Sequence, residues 1–186
     1  LKKNKNFKIF AYDHTVTKKF WLSRFKKDIV SLLLLKKLKI GKILDVFKYI
    51  DYQFFFRNNK KHFEKKIVFK AKGNEETTIP RIINNHNKVV LKIDIEGDEY
   101  KILNDIKKNS KRIFFLLIEF HNVHKNLIKI RNFLRKSDLK IIHIHANNYG
   151  GIDKNGIPKV IELSMLNSKK IKINRILSKR KYPIID

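Results

Sequence analysis

The stretch VVLKIDIEGDEYKIL, at positions 89–103, joins two patterns of apolar residues that belong to different kinds of secondary structure. Its first five residues form a short apolar run typical of a buried β-strand, and after Gly97 the apolar residues recur at the spacing of an α-helix. A carboxylate at the end of a buried strand is costly unless another group pairs with it. Four of the chain's 17 acidic residues nevertheless lie at this junction, namely Asp94, Glu96, Asp98 and Glu99. We therefore expect the junction to carry either a structural interaction or a chemical site.

The same alternation of strand-like and helix-like segments continues along the chain. The predicted strands are 8–12, 66–71, 89–93, 113–120, 139–144 and 160–165. The predicted helices are 20–39, 43–56, 99–106 and 126–135, with a further short helix from a Thr77–Thr78 cap to about Asn85. This alternation favours an α/β fold with a mainly parallel sheet and helices on both faces. The run 113–120 is apolar apart from Glu119, so we expect it to be buried on both faces. No repeat or linker divides the chain, which predicts one domain over residues 1–186 with a basic, solvated tail at 169–186.

Polar residues follow almost every predicted strand. In a parallel sheet the carboxyl ends of the strands share one edge, where ligands bind. We therefore expect a site at that edge, built from Asp13, Lys72, Gly73, Asp94, Glu96, Glu119, His121, His143, His145, Asn147 and Asn148.

Several of the acidic residues and histidines also have a purely structural interpretation. Asp94 could cap the helix that follows it, and Asp98 and Glu99 could do no more than favour the positive helix N-terminus. Asp13 could be a turn residue, and a histidine such as His145 could be a hydrogen-bonded structural residue.

The net charge of the chain is +27, from 44 Lys and Arg against 17 Asp and Glu. Such a charge is typical of proteins that bind nucleic acid, and a basic nucleic-acid-binding module without catalytic activity is the main alternative to an enzyme. Only eight of the basic residues are Arg, although the Arg fork is favoured for recognising phosphates and bases. Lys, Asn, Ile and Phe, all abundant here, are also the residues that AT-rich codons encode. We therefore disfavour nucleic acid as a partner.

The chain contains no Cys, which excludes disulfides and Cys-ligated metal sites. Its longest apolar runs fall short of the roughly 18 residues that a membrane span needs, and no signal peptide is visible. We therefore expect a cytoplasmic protein without a membrane span.

Four segments together resemble the FkbM-type S-adenosylmethionine-dependent methyltransferases. VVLKIDIEGDEYKIL resembles the family signature, in which an apolar strand is followed by K-I-D-x-E-G-x-E and a helix. IFAYDHTV (9–16) is similar to the second strand of the family and its acidic end, and LLIEFHNV (116–123) to the fifth strand. HIHANNYGG (143–151), followed by IPKVIELSM (157–165), resembles the last pair of strands.

This resemblance implies a Rossmann-like fold with strand order 3-2-1-4-5-7-6 and an antiparallel seventh strand. It implies that Asp13 binds the ribose hydroxyls of the cofactor and that Lys72 and Gly73 lie near its adenine. Asp94 and Glu96 are then expected beside the methyl-transfer centre, with His121 facing them. We expect the acceptor to contact His143, His145, Asn147 and Asn148.

The family pattern also places a first strand and a Gly-rich loop ahead of Lys8, and the sequence has no such segment there. We therefore expect an N-terminally truncated methyltransferase domain, and a fragment of this kind need not be active alone.

The resulting hypothesis is O-methylation of a hydroxyl on a sugar or other small molecule, with S-adenosylmethionine as cofactor. Asp94 and His121 are the candidates for the base that removes the hydroxyl proton. Asp94, Glu96 and His121 could instead hold a divalent cation, so the metal requirement stays open. A nucleotide-sugar or NAD enzyme is disfavoured because no Gly-x-Gly-x-x-Gly occurs in the chain.

Overall fold

The computed structural model describes residues 7–34 and 40–171, with the side chains of residues 40–46 excepted. Contacts divide the chain into two compact units, Leu1–Thr78 and Ile79–Asp186. This is a division by packing, and the single methyltransferase domain stays a prediction. Among the described residues, no helix is both long and apolar enough to span a bilayer.

The first unit combines a pair of helices with two small parallel sheets. Helix α1 (Lys18–Leu33) begins at Thr17, whose hydroxyl accepts a hydrogen bond from the backbone N–H of Phe20. It packs against α2 (Ile40–Phe55), and the ring of Trp21 contacts those of Tyr49 and Tyr52.

The described strands of this unit pair with one another. Strand β1 (Ile9–Tyr12) pairs in parallel with β2 (Lys60–Phe63), and β3 (Lys66–Ile67) pairs in parallel with β4 (Glu76–Thr77). The predicted strand 66–71 is thus only two residues long, and β2 was not predicted. The described strands therefore form separate sheets, whereas the sequence predicts a single one.

The second unit is a four-stranded mixed sheet with helices. Along the chain it contains α3 (Ile79–Ile83), β5 (Val89–Ile93), α4 (Glu99–Lys108), β6 (Ile113–His121), α5 (Val123–Arg135), β7 (Leu139–Ala146) and β8 (Val160–Asn167). The strand order is β5-β6-β8-β7, with β5 and β6 parallel and β8 antiparallel to both of its neighbours. The antiparallel last strand is confirmed, and these four strands have the order 4-5-7-6 that the resemblance implies for the second half of the sheet.

The core of this unit lies on one face of the sheet. Leu116, Ile118 and Phe120 of β6 are each at most 1% exposed, and the Phe120 ring lies 5.5 Å from the ring of Tyr100 in α4. The core is completed by apolar residues of the helices, among them Ile102, Ile106, Ile130 and Phe133. Helices α4 and α5 contact each other over this face.

The opposite face of β6 is covered less completely. Its residues alternate between buried and partly exposed, and Phe115, Leu117, Glu119 and His121 belong to the partly exposed set. The prediction that 113–120 is buried on both faces is therefore wrong, because the helices that the structure places against β6 cover only one of them. The polar end of this open face carries the candidate site.

The last predicted feature, the basic tail at 169–186, lies mostly outside the described residues, which end at Ile171.

Candidate active site

The turn between β5 and α4 has an unusual backbone. Glu96 has a φ of 54° and Gly97 a φ of 104°. Glycine adopts this left-handed region readily, whereas it is uncommon for a residue with a side chain. The carboxylate of Glu99 holds the turn, since its Oε1 accepts the backbone N–H of Gly97 at 2.9 Å and that of Ile95 at 3.4 Å. Asp94 and Glu96 are exposed at the two sides of Ile95.

Glu99 is fully buried although it is the first residue of its helix. Its Oε1 lies 3.0 Å from Nδ1 of His121, and its Oε2 is buried without a hydrogen-bond partner. The sequence interpretation of Glu99 as a residue that only favours the helix N-terminus is therefore incomplete. Asp98 fits that interpretation better, because it lies at the N-cap position and pairs with Lys101 at 2.6 Å.

His121 ends strand β6 and faces three carboxylates. Besides the contact of Nδ1 with Glu99, its Nε2 lies 3.4 Å from Oε2 of Glu96 and 3.8 Å from Oε1 of Glu119. The backbone is fixed as well, since the hydroxyl of Tyr100 donates to the carbonyl oxygen of His121 at 2.6 Å. Burial, with the charge of Glu99, raises the pKa of Tyr100 to about 12, so this hydroxyl stays protonated and remains a donor.

These surroundings stabilise the charged imidazole. Burial lowers the pKa of His121, but the hydrogen bond and charge of Glu99, with the charges of Glu96 and Glu119, outweigh it. The net pKa of His121 is raised above its ordinary value. The imidazole is therefore a stronger proton acceptor than a free histidine side chain.

Asp94 completes the cluster. It directly follows β5, and one ligand atom from each of Asp94, Glu96 and His121 lies within 4.8 Å of the others. The structure thus brings together the three residues that were predicted to be catalytic. Two carboxylates and an imidazole can exchange protons with a bound hydroxyl, and such a set is also suited to a divalent cation.

A residue that follows strand β7 contacts the site through Glu119. Asn147 follows that strand and donates its side-chain N–H to Oε1 of Glu119 at 3.1 Å. His145 pairs in register with Glu162 of β8, and Glu162 with Glu119 of β6, so the three side chains occupy one row on one face. Asn147 and His145 are therefore on the same side of the sheet as the cluster.

The other two predicted acceptor-binding residues are more remote from this row. His143 is exposed on β7, two residues before His145, and it pairs in register with Ser164 of β8. Asn148 is exposed in the loop after β7. Their roles stay predictions.

The predicted cofactor-binding residues Asp13, Lys72 and Gly73 belong to the first unit. Oδ1 of Asp13 accepts hydrogen bonds from the backbone N–H and hydroxyl of Thr15, at 2.7 and 2.6 Å, and from the N–H of Val16 at 3.3 Å. Burial raises the pKa of Asp13, but these hydrogen bonds and the charge of His62 outweigh it and the net pKa is lowered. The backbone N–H of Lys72 donates to Glu76, and Lys72 and Gly73 are exposed. Asp13 is thus a turn residue, and its role toward a cofactor stays a prediction.

Glu99 is a site residue to which the sequence prediction gave no role beyond the helix N-terminus, whereas Glu119 was expected at the strand ends without an assigned role. The sequence did contain a signal for Glu99. One helical face carries positions 99, 102, 103 and 106, and the residues at 102, 103 and 106 are apolar. A glutamate on that face is expected to be buried.

Comparison with known families bears directly on this site. The family model of the methyltransferase FkbM domain matches residues 41–141, more than half of the chain. The chain belongs to the FkbM methyltransferase family. The resemblance seen at KIDIEG is thereby confirmed, and the matched range contains the whole segment from Asp94 to His121. No curated protein and no solved structure shows significant similarity to the chain.

Proposed function

We propose that this FkbM methyltransferase transfers a methyl group from S-adenosylmethionine to a hydroxyl of a sugar or another polyhydroxylated small molecule. The observation that carries the proposal is the placement of His121, whose Nε2 faces Glu96 and Glu119 while Nδ1 is occupied by Glu99. With Asp94 nearby, this is a proton-accepting site at the ends of two adjacent parallel strands.

The chemistry of the residues suits the cofactor. When bound, S-adenosylmethionine supplies an electrophilic methyl group on a positively charged sulfur. The exposed carboxylates of Asp94 and Glu96 fit a cationic centre because opposite charges attract. In the first unit, Oδ1 of Asp13 accepts from Thr15 and Val16, which leaves the lone pairs of Oδ2 as the acceptors for a diol. We assign the ribose to Asp13 and the adenine end to Lys72 and Gly73.

In this mechanism the protein positions the acceptor and removes its proton. Nε2 of His121 accepts the proton of the acceptor hydroxyl, and the carboxylate of Glu99 stabilises the resulting imidazolium. Asp94 orients the reacting hydroxyl and adds negative charge beside the methyl donor. Holding the reacting groups in line supplies much of the rate enhancement.

The polar rim around this base supports the proposed acceptor class. Asn147 and His145 lie on the same side of the sheet as Glu119, and their side chains offer both donors and acceptors. Together with His143 and Asn148, they form a surface suited to a molecule with several hydroxyl groups.

The test is methyl transfer by the full-length protein, followed with labelled S-adenosylmethionine and a panel of sugar acceptors. His121→Asn should lower kcat by about a hundredfold, the scale of a general base, and Asp94→Asn should also lower kcat because it removes a charge that orients the hydroxyl. Asn at position 121 can still donate to Glu99 from its side-chain nitrogen but has no group in place of Nε2. Asp13→Asn should instead raise the KM for the cofactor and leave kcat near normal.

Asp98→Asn is the matched control. It removes one carboxylate charge from the same turn, but Asp98 pairs with Lys101 at the helix surface. Wild-type turnover by both Asp94→Asn and His121→Asn would remove the cluster from the mechanism and leave the carboxylates with a structural role.

A further inference from the structure

We propose that Glu99 is a positioning residue that holds the proton of neutral His121 on Nδ1, so that Nε2 is the nitrogen that receives the acceptor's proton. The catalytic consequence of this inference rests on the proposed function. The position of the proton on His121 is argued from the geometry alone.

The first step is the burial of the carboxylate. Glu99 is 0% exposed, and a buried carboxylate costs several kcal/mol unless hydrogen bonds compensate it. The compensation here converges on a single oxygen. Oε1 accepts from the backbone N–H of Gly97 and of Ile95 and contacts Nδ1 of His121, while Oε2 has no partner.

The second step is the identity of the proton donor. A carboxylate with its charge can only accept, so the ring nitrogen with the closest carboxylate contact is the one expected to carry the hydrogen. Glu99 lies 3.0 Å from Nδ1, whereas Glu96 and Glu119 lie 3.4 and 3.8 Å from Nε2, so that nitrogen is Nδ1. In a neutral imidazole only one nitrogen is protonated. A proton on Nδ1 therefore leaves Nε2 with a free lone pair, which is directed to the side where Glu96 and Glu119 lie.

The third step is the rigidity of the pair. Glu99 is held by the turn that it also stabilises, and His121 is held by the hydroxyl of Tyr100 on its carbonyl oxygen. The Tyr100 ring is in turn packed on Phe120. The carboxylate of Glu99 and the backbone of His121 are therefore both held in place, so the fold sets the Glu99–His121 contact before any acceptor arrives.

The experiment measures the tautomer and the rate separately. Histidine is labelled with ¹⁵N in the full-length protein, and the spectrum is recorded at alkaline pH, where His121 is neutral; His121→Asn identifies its signals. In the wild type the proton should be on Nδ1. In Glu99→Leu it should move to Nε2, which is the common form in water, and kcat should fall by about a hundredfold because the general base is blocked. The KM for S-adenosylmethionine should change less than about twofold, since the substitution does not alter the residues proposed to bind the cofactor.

Two further variants separate positioning from stability. Glu99→Gln keeps an oxygen that can accept from Gly97, Ile95 and His121, so it should retain the proton on Nδ1 and a larger share of kcat than Glu99→Leu. Asp98→Asn, at the same helix end, should leave both the tautomer and kcat unchanged. A role limited to holding the turn would alter the unfolding free energy of Glu99→Leu and leave the His121 tautomer as it was.

The outcomes decide the two proposals independently. A wild-type His121 with its proton on Nε2, or a Glu99→Leu protein that keeps it on Nδ1, overturns the positioning role. The wild-type spectrum alone can overturn the proposal, so failure of Glu99→Leu to fold does not protect it. Absence of methyl transfer in a wild type with the proton on Nδ1 refutes the proposed function and leaves the positioning role supported.

Discussion

Asn167, the last residue of β8, offers the most sharply defined test of the fold. Its side chain is 1% exposed, and its amide nitrogen donates to the carbonyl oxygens of Ser110 and Ile113 at 2.7 and 3.0 Å. Its amide oxygen accepts the backbone N–H of Lys169 at 3.0 Å. One side chain thus joins the end of the last strand to the start of β6.

Replacing Asn167 with Ala removes both donors and leaves two carbonyl groups of buried residues without that partner. The carbonyl of Ser110 keeps the backbone N–H of Ile113 as a partner, so the main cost is the carbonyl of Ile113, and the expected loss is about 1–3 kcal/mol. With a urea m-value of about 2 kcal/mol/M, the midpoint should fall by about 0.5–1.5 M. Asn167→Asp should be worse, because a carboxylate would face the two carbonyl oxygens.

The assay is urea unfolding followed by far-ultraviolet circular dichroism. Ser168→Ala is the control at the next position, where the exposed hydroxyl donates to the carbonyl of Asp138; its effect should stay within about 0.5 kcal/mol. If Asn167→Ala unfolds at the same midpoint as Ser168→Ala, the side chain does not join β8 to β6 and the argument fails.

Four further predictions concern the site and the surface. The raised pKa of His121 means that folding stabilises its protonated form; this stabilisation is complete below the ordinary pKa of about 6.5 and is lost as the pH rises through the raised value. The unfolding free energy of wild type relative to His121→Asn should therefore decline over that interval, and a difference independent of pH would contradict the raised pKa. Gly150→Ala should destabilise the loop after β7, because a Cβ there would lie 2.7 Å from Cβ of Val160; thermal unfolding at an unchanged temperature would show that the loop moves aside freely. Methyl transfer should survive EDTA if His121 acts as the base, whereas activity lost to EDTA and restored by Mg²⁺ or Mn²⁺ would make the cluster a metal site. Filter binding to nucleic acid should be weak and steeply salt-dependent, as for non-specific lysine contacts; tight binding that persists at moderate salt would favour the nucleic-acid alternative.

The sequence predicted the second unit better than the first for a physical reason. Val89–Ile93 was predicted with its observed bounds, because an apolar run that ends at charged residues and Gly97 has few alternatives. Strand β2 has the sequence KKHF, which shows no apolar alternation, and it pairs only with β1. Nothing local distinguishes such a strand from a polar loop, so its pairing partner determines its conformation.

The site shows the same distinction at the level of single residues. Asp94, Glu96 and His121 were predicted because each follows an apolar strand, and the structure places them together. The burial of Glu99 and its contact with His121 depend on how α4 packs against β6. Local features at the start of the helix indicated only a favourable charge, and the apolar spacing that includes Glu99 was needed to predict its burial.

The position of β8 in the sheet has a consequence for how the chain can be assembled. Strand β8 lies between β6 and β7, although both precede it in the sequence. During synthesis, β6 and β7 therefore emerge without the strand that will separate them, and each exposes an edge able to pair with another chain. Direct pairing of β6 with β7 would be a parallel contact that must be broken or avoided before β8 can enter. A nascent chain that has emerged from the ribosome only as far as residues 146–160 should therefore aggregate or recruit a chaperone, and emergence of β8 should end that vulnerability.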